Sequence, residues 1–285
     1  MNVPFHVDLK NKVAVVTGGG GILCSVMAEA LAACGARVAV LDLRKPAADK
    51  VAEAIRAQGG EALGFECNVL DLASIKAANT AIEAAFGPVD ILVNGAGGNH
   101  PKGTTTREQL KKEDLGHQAE GFVSFFDLDP AGIQFVFNLN FLGTLLPTQV
   151  FTRAMAAGQG GVVINVSSMN AFKPLTKIPA YSAAKAAVSN FTQWLAVHLA
   201  PVKVRVNAIA PGFFLTDQNR ALLTQADGSL TARGNTIQAH TPMGKFGDPS
   251  DLVGALLWLV SDQAAGFVTG TVIPIDGGFS AFSGV

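Results

Sequence analysis

This sequence predicts an α/β fold: a doubly wound parallel sheet of about seven strands with helices on both faces. Three observations lead there. Short β-rich runs alternate with longer helix-patterned stretches along the chain, the alternation that builds parallel sheets through right-handed crossovers. The strand runs are near-continuously apolar, as strands covered on both faces are. The first run opens into four consecutive glycines, Gly18 to Gly21, before a helix-like stretch. Of the 285 residues, 49% are hydrophobic and 15% charged, ample for a large core and without a sign of disorder. No internal repeat or Pro/Ser-rich linker divides the chain, so one domain, residues 1–285, is expected.

Taken in order, strands are expected at Lys12–Thr17, Arg37–Asp42, Ala62–Cys67, Ile91–Asn94, Val162–Val166, Val204–Ile209 and Thr271–Ile275. Helices are expected at Leu23–Ala33, Ala47–Gln58, Leu72–Phe86, Ile133–Ala157, Tyr181–Ala200 and Asp251–Ser261. The last has a clear start, with Asp248 to cap it and Pro249 in the first turn. Two polar stretches, Gly95–Pro130 and Gly212–Asp248, carry no convincing element. Long unpatterned loops inside a domain are usually functional or disordered. In a parallel sheet both would leave the carboxyl ends of strands, where ligands bind.

Composition excludes several functions. Net charge is −1, so no broad positive field exists to hold a nucleic-acid backbone. Lys111-Lys112 reads as a solvated face. Cys24, Cys34 and Cys67 show no metal-site spacing and suit small buried residues of a reduced protein. Met1–Lys12 lacks the charged-then-apolar order of a signal peptide. The longest apolar candidate, near Val204–Leu215, is broken by Asn207, Pro211 and Gly212. A cytoplasmic protein without membrane contact is expected.

"VAVVTGGGGILCSV", residues 13–26, places a glycine turn between a strand and a helix. Phosphates need backbone N–H groups presented closely at a helix N-terminus, and side chains obstruct that approach. Gly18, Gly20, Gly21 and Ile22 are therefore candidate pyrophosphate contacts. An acid at the end of the next strand would accept ribose hydroxyls, and Asp42 stands there. Its charge repels a 2′-phosphate and favours NAD(H) over NADP(H); Arg44, two residues on, softens that preference.

"SSMNAFKPLTKIPAYSAAKAAVSNF", Ser167 to Phe191, carries the second pattern. Tyr181, the chain's single tyrosine, and Lys185 lie four apart on a predicted helix, on one face. A free phenol has a pKa of ~10, so accepting a proton at neutral pH needs a shift of roughly three units, ~4 kcal/mol. A cation ~4 Å away supplies that only in a partly desolvated cleft.

The ordered set "TGGGG", "VNGAGG", "NLNFLG", "SS" before "YSAAK", "VNAIAPGFF" and "GTVIPIDGG" resembles the short-chain dehydrogenase/reductase family over nearly the full chain. The resemblance implies a Rossmann-type fold, a homotetramer and a catalytic tetrad at Asn140, Ser168, Tyr181 and Lys185. Tyr181 would exchange a proton with the substrate oxygen and Ser168 would hydrogen-bond it. Lys185 would lower the phenol's pKa and hold the nicotinamide ribose, and Asn140 would anchor a relaying water. Asn94, Gly95 and Ala96 would line the adenine ribose, Asn68 and Val69 the adenine, and Pro211, Gly212 and Thr216 the nicotinamide side. The glycine loop is one residue shorter than the family pattern, which puts Gly21 in the second glycine's place and Leu23 in the third's.

The segments near 98–132 and 213–248 read as substrate-loop insertions. With "SSMNAFKPLTKIPAYSAAKAAVSNFTQW" and the tail "DGGFSAFSGV", they resemble the family's sugar-acid branch, the D-mannonate oxidoreductases that interconvert D-mannonate and D-fructuronate. A uronate needs a cation for its carboxylate and polar groups for its hydroxyls. His100, Lys102, Lys173, Arg220 and His240 are candidate cations; Asn99, Asn170 and Gln218 are candidate hydroxyl partners. Two other readings stay open: a reductase of another polyol or of 3-oxoacyl thioesters, and a protein that senses NAD without turnover.

Overall fold

The computed structural model describes residues 6–116, 120–216, 220–225 and 227–284. Seven strands form one parallel sheet: β1 (Val13–Thr17), β2 (Arg37–Asp42), β3 (Glu61–Glu66), β4 (Ile91–Asn94), β5 (Gly161–Val166), β6 (Val204–Pro211) and β7 (Val272–Ile275). Their order is β3-β2-β1-β4-β5-β6-β7. The chain thus reverses its direction of winding between β1 and β4, and that reversal opens a crevice at the carboxyl ends of the strands.

Side chains alternate faces along each strand. Ala14 and Val16 of β1 join one core cluster, while Val13 and Val15 join the other. The first cluster packs under helices α1 (Ile22–Ala33) and α2 (Lys45–Ala57). The second packs under α3 (Leu72–Phe86), with Phe151 and Met155 filling it from the helix that precedes β5.

That helix departs from the expected single run Ile133–Ala157. It starts earlier, as α4 (Pro130–Phe137), where Asp129 accepts the Ala131 N–H and Pro130 needs no donor. It widens into a π-helical segment at Asn138–Leu142 and resumes as α5 (Gly143–Ala157). Such widenings gather at functional sites. Next comes α6 (Pro179–Leu199). The stretch after β6 is not elementless as expected: it holds α7 (Arg220–Leu223) and α8 (Ala232–Ala239). Neither was legible, because short helices with weak amphipathicity leave little periodic trace. The predicted Asp248 cap is present, accepting from Ser250, and a 3₁₀ turn leads into α9 (Val253–Val260) and α10 (Asp262–Ala265). Among the described residues no helix is long and apolar enough to cross a membrane, and no His/Cys/Asp/Glu cluster could hold a metal.

Candidate active site

The carboxyl edge of the sheet is built from polar residues in register. Thr17 and Asn94 end β1 and β4, and Asn165, the last residue but one of β5, pairs beside Asn94. Thr17 Oγ1 accepts the N–H groups of Gly95 and Ala96, at 3.1 and 3.3 Å, fixing the turn that leaves β4. Asn94 donates to Thr148 and to Asn165, and Asn165 donates in turn to Thr192 of α6. Buried amides and hydroxyls need partners, and this chain of them ties the sheet to α5 and α6. Within this network Asn94 Oδ1 has no partner among the described residues. Sequence reasoning missed Thr17, Asn165 and Thr192; for the first two the signal was a polar residue interrupting or ending an apolar strand, while Thr192 lies on α6 and carried none.

The glycine loop sits at the crevice. Gly18 has φ +64°, and a Cβ on it would stand 2.9 Å from Ala96 Cα. A Cβ on Gly20 would meet Ala47 Cβ at 2.7 Å and Asp42 Oδ2 at 2.8 Å. Both positions therefore exclude any side chain. Gly21 caps α1 in extended conformation, where a Cβ would stand 3.3 Å from the Gly18 carbonyl oxygen, and Ile22 begins the helix. Asp42 ends β2 as expected; its carboxylate accepts from the N–H groups of Gly20, at 3.1 Å, and Arg44, at 3.0 Å. An acid bonded to a glycine cradle at a helix N-terminus fits a dinucleotide's pyrophosphate and ribose hydroxyls.

Tyr181 and Lys185 lie on the first turns of α6, which packs across the 3₁₀ turn Met169–Ala171. Ser168 caps that turn, accepting the Asn170 N–H at 3.2 Å, and its side chain lies beside the Tyr181 phenol. Asn140, in the π segment, is fully buried. Its amide clasps Gly98, accepting from the N–H at 3.2 Å and donating to the carbonyl at 2.7 Å. A Cβ on Gly97 would lie 2.7 Å from Asn140 Oδ1 and 3.2 Å from Lys185 Nζ, so both side chains close in on Gly97. All four tetrad positions are thus drawn together at the ends of β4 and β5.

The electrostatics correct one expectation. Lys185 was to hold the phenol's pKa down, but in the ligand-free chain it does not. Burial pushes Tyr181 up, with only the Ser168 bond opposing. Lys185 Nζ lies 5.7 Å from the centre of the phenol ring and donates to the Val166 carbonyl at 2.8 Å. Burial also lowers Lys185 to about 8, against a small opposing effect of Cys24. Desolvation disfavours charge on both groups. Cys24 is itself buried, its thiol pushed up to about 12, which makes it inert.

The remaining positions divide. Val69 is buried against α5, while Asn68 is exposed and its side chain accepts the Leu70 N–H. Pro211 ends β6, and Gly212 donates to Ile275; a Cβ there would strike Asp276. The carbonyl of Thr216 accepts from Arg220 N–H. Of the candidate cations, Lys102 pairs with Asp129 at 3.1 Å and Lys173 donates to the Phe282 carbonyl. His100 accepts the Lys102 N–H and rests on Phe135; His240 bonds the Thr236 carbonyl and faces Phe282. Arg220 is exposed and has no ion pair among the described residues. Asn99 donates to Thr104, Asn170 is buried, and Gln218 lies outside the described residues.

Comparison with known proteins agrees with this geometry. The short chain dehydrogenase family model matches residues 12–227. An uncharacterized oxidoreductase of Haemophilus influenzae is 55% identical over 285 residues, covering all of this chain and 99% of that protein. The Bacillus subtilis uncharacterized oxidoreductase UxuB is 49% identical over 283 residues, covering 99% of this chain and all of that one. A provisionally named D-mannonate oxidoreductase from Haemophilus influenza, solved with bound NAD, superposes with a TM-score of 0.93 at 54% identity over the full length of both chains. The chain therefore belongs to the short-chain dehydrogenase family, and it is an oxidoreductase.

Proposed function

We propose that this protein is an NAD(H)-dependent reductase and dehydrogenase of a sugar acid, with D-fructuronate and D-mannonate as its pair. The observation that carries the reading is the convergence of Tyr181, Ser168, Lys185 and Asn140 beside an acid-tipped glycine cradle. The Haemophilus structure's provisional name and bound NAD support the substrate and the cofactor.

When bound, the nicotinamide supplies the hydride. The chain's residues do the rest. Gly18, Gly20, Gly21 and Ile22 cradle the pyrophosphate at the start of α1, and Asp42 holds the adenosine ribose and repels a 2′-phosphate. Asn68, Val69, Asn94, Gly95 and Ala96 line the adenosine half; Pro211, Gly212 and Thr216 line the other. Ser168 donates to the substrate oxygen and stabilises its developing charge. Tyr181 gives that oxygen its proton. Burial keeps the phenol protonated, the form that reduction consumes. Lys185 binds the nicotinamide ribose and returns a proton to the phenol. Asn140 holds Gly98, and with it the start of the substrate insertion, over Lys185. Subunits assemble as a homotetramer; the exposed Trp194 and Val197 on α6 support an apolar interface, and light scattering would measure it.

The test is oxidation of NADH and of NADPH with D-fructuronate, other polyol-derived ketones and a 3-oxoacyl thioester. Fastest turnover with D-fructuronate and NADH is expected. A faster thioester would replace the substrate assignment, and tight NAD binding with no turnover would replace the enzymatic reading by a sensing one.

A further inference from the structure

We propose that Asn170 selects substrates that carry a hydroxyl on the carbon next to the reacting one. Asn170 is the second residue of the 3₁₀ turn that Ser168 caps. Its N–H donates to Ser168 Oγ at 3.2 Å, so its backbone is one hydrogen bond from a hydroxyl that lies beside the Tyr181 phenol. The residue is 4% exposed, yet its side-chain oxygen has no hydrogen-bond partner among the described residues.

A buried acceptor left without a donor costs much of its desolvation energy, and folded chains rarely leave one so. Of the other unpartnered buried atoms, Arg37 Nε lies at the amino end of β2, away from the crevice. Asn94 Oδ1 belongs to the strand that the cofactor reading uses. Ser182 follows Tyr181 on α6 and is a hydroxyl, able to turn either way. Asn170 offers an acceptor held in place. The reacting oxygen is already served by the hydroxyls of Ser168 and Tyr181, so the donor for Asn170 must come from an adjoining group. On a polyhydroxy chain that group is the neighbouring hydroxyl. A site built to pair a substrate hydroxyl rejects the analogue that lacks it far more strongly than an apolar pocket would.

The inference rests on the reaction centre of the proposed function and not on which sugar acid is turned over. The test therefore uses the best substrate of the carbonyl panel, whichever that is, and its analogue without the neighbouring hydroxyl. Wild-type kcat/KM should favour the hydroxylated compound by about 100-fold or more. Asn170→Leu should lose about 10–100-fold on that compound and less than threefold on the analogue. Its thermal midpoint should stay within a few degrees of wild type, because an unsatisfied oxygen has been removed. Asn170→Asp, which keeps an acceptor, should retain part of the preference. Equal losses on both compounds would mark a structural role and overturn the assignment. So would a wild-type enzyme indifferent to the hydroxyl, or a best substrate that lacks one. If D-fructuronate proves inert while another hydroxyketone shows the preference, the sugar-acid reading fails and Asn170 keeps its role.

Discussion

The cofactor side and the substrate side of this molecule are built differently. Around β1 and β4 the polar groups bond to main chain or to buried partners. Thr17 holds Gly95 and Ala96, Asp42 holds Gly20, and Asn140 holds Gly98. In the first insertion charged groups pair with one another instead, Lys102 with Asp129 at the surface and the exposed Arg107 with Asp114. Backbone-anchored groups have no latitude: move one and a strand end moves. Surface pairs are weak and interchangeable. The family's chemistry is therefore stored where geometry is rigid, and substrate choice where it is adjustable.

The strongest way to break this contrast is to remove the phenol alone. Tyr181→Phe keeps the ring and deletes only the phenolic hydroxyl. Turnover should fall by more than about 10³-fold, within the range of general acid loss, while NADH affinity by fluorescence titration stays within about twofold. Near-normal rates would move the chemistry away from the rigid side altogether.

A titration sharpens the same point with a somewhat smaller effect. Lys185 changes charge at about 8 in the ligand-free chain. Reduction kcat/KM reports free-enzyme ionisations, so it should fall about tenfold per pH unit above that value. Stability should not follow. The unfolded chain keeps the lysine proton to a higher pH than the folded one does, so this group makes stability rise between about 8 and the ordinary lysine value. Tyr181 has the opposite sign: its folded pKa is raised, so the stability it contributes is lost only as pH climbs past the ordinary phenol value. Activity and melting temperature, measured together from pH 7 to 10, should therefore part company. A joint decline would mean unfolding rather than loss of the ammonium.

How much of this was legible follows the same division. The seven strands were readable because burial on both faces forces apolar runs, and only their ends moved by a residue or two. Tyr181 and Lys185 were readable because helical spacing fixes a shared face. Asn140 and Ser168 came from the family resemblance, not from spacing. The π segment around Asn140 was illegible, since no local residue announces an extra turn member. The phenol's raised pKa was illegible too, because it comes from burial in the assembled fold and not from the lysine four residues away. On the substrate side the reading stopped at residue types. Nothing local says that Lys102 is occupied by Asp129, or Lys173 by the Phe282 carbonyl.

That occupancy yields a third prediction, of moderate size. Arg220 alone among the candidate cations is exposed without a protein partner bonded to its side chain among the described residues. Arg220→Ala should raise KM for a keto-sugar acid about tenfold, as loss of a charge-assisted bond does, with kcat little changed. Lys102→Ala should change KM less than threefold, because its charge is already spent on Asp129 at the surface. Steady-state kinetics on both variants decides, and the reverse ranking would place the carboxylate at the first insertion.

The smallest effect tests how rigid the rigid side is, within the glycine loop itself. Gly20 and Gly21 are neighbours, yet only Gly20 is enclosed, by Ala47 and the Asp42 carboxylate. A Cβ on Gly21 would meet a single atom, the Gly18 carbonyl oxygen at 3.3 Å, and its φ of −82° suits any residue. Gly20→Ala should therefore cost about 1–3 kcal/mol by overpacking. Gly21→Ala should cost under about 1 kcal/mol, chiefly through a poorer helix cap. Denaturant unfolding of the ligand-free protein separates the two without involving the cofactor. If Gly21→Ala proves the costlier change, the shortened loop has shifted its tight point to the helix start, and Gly20 does not close the cradle.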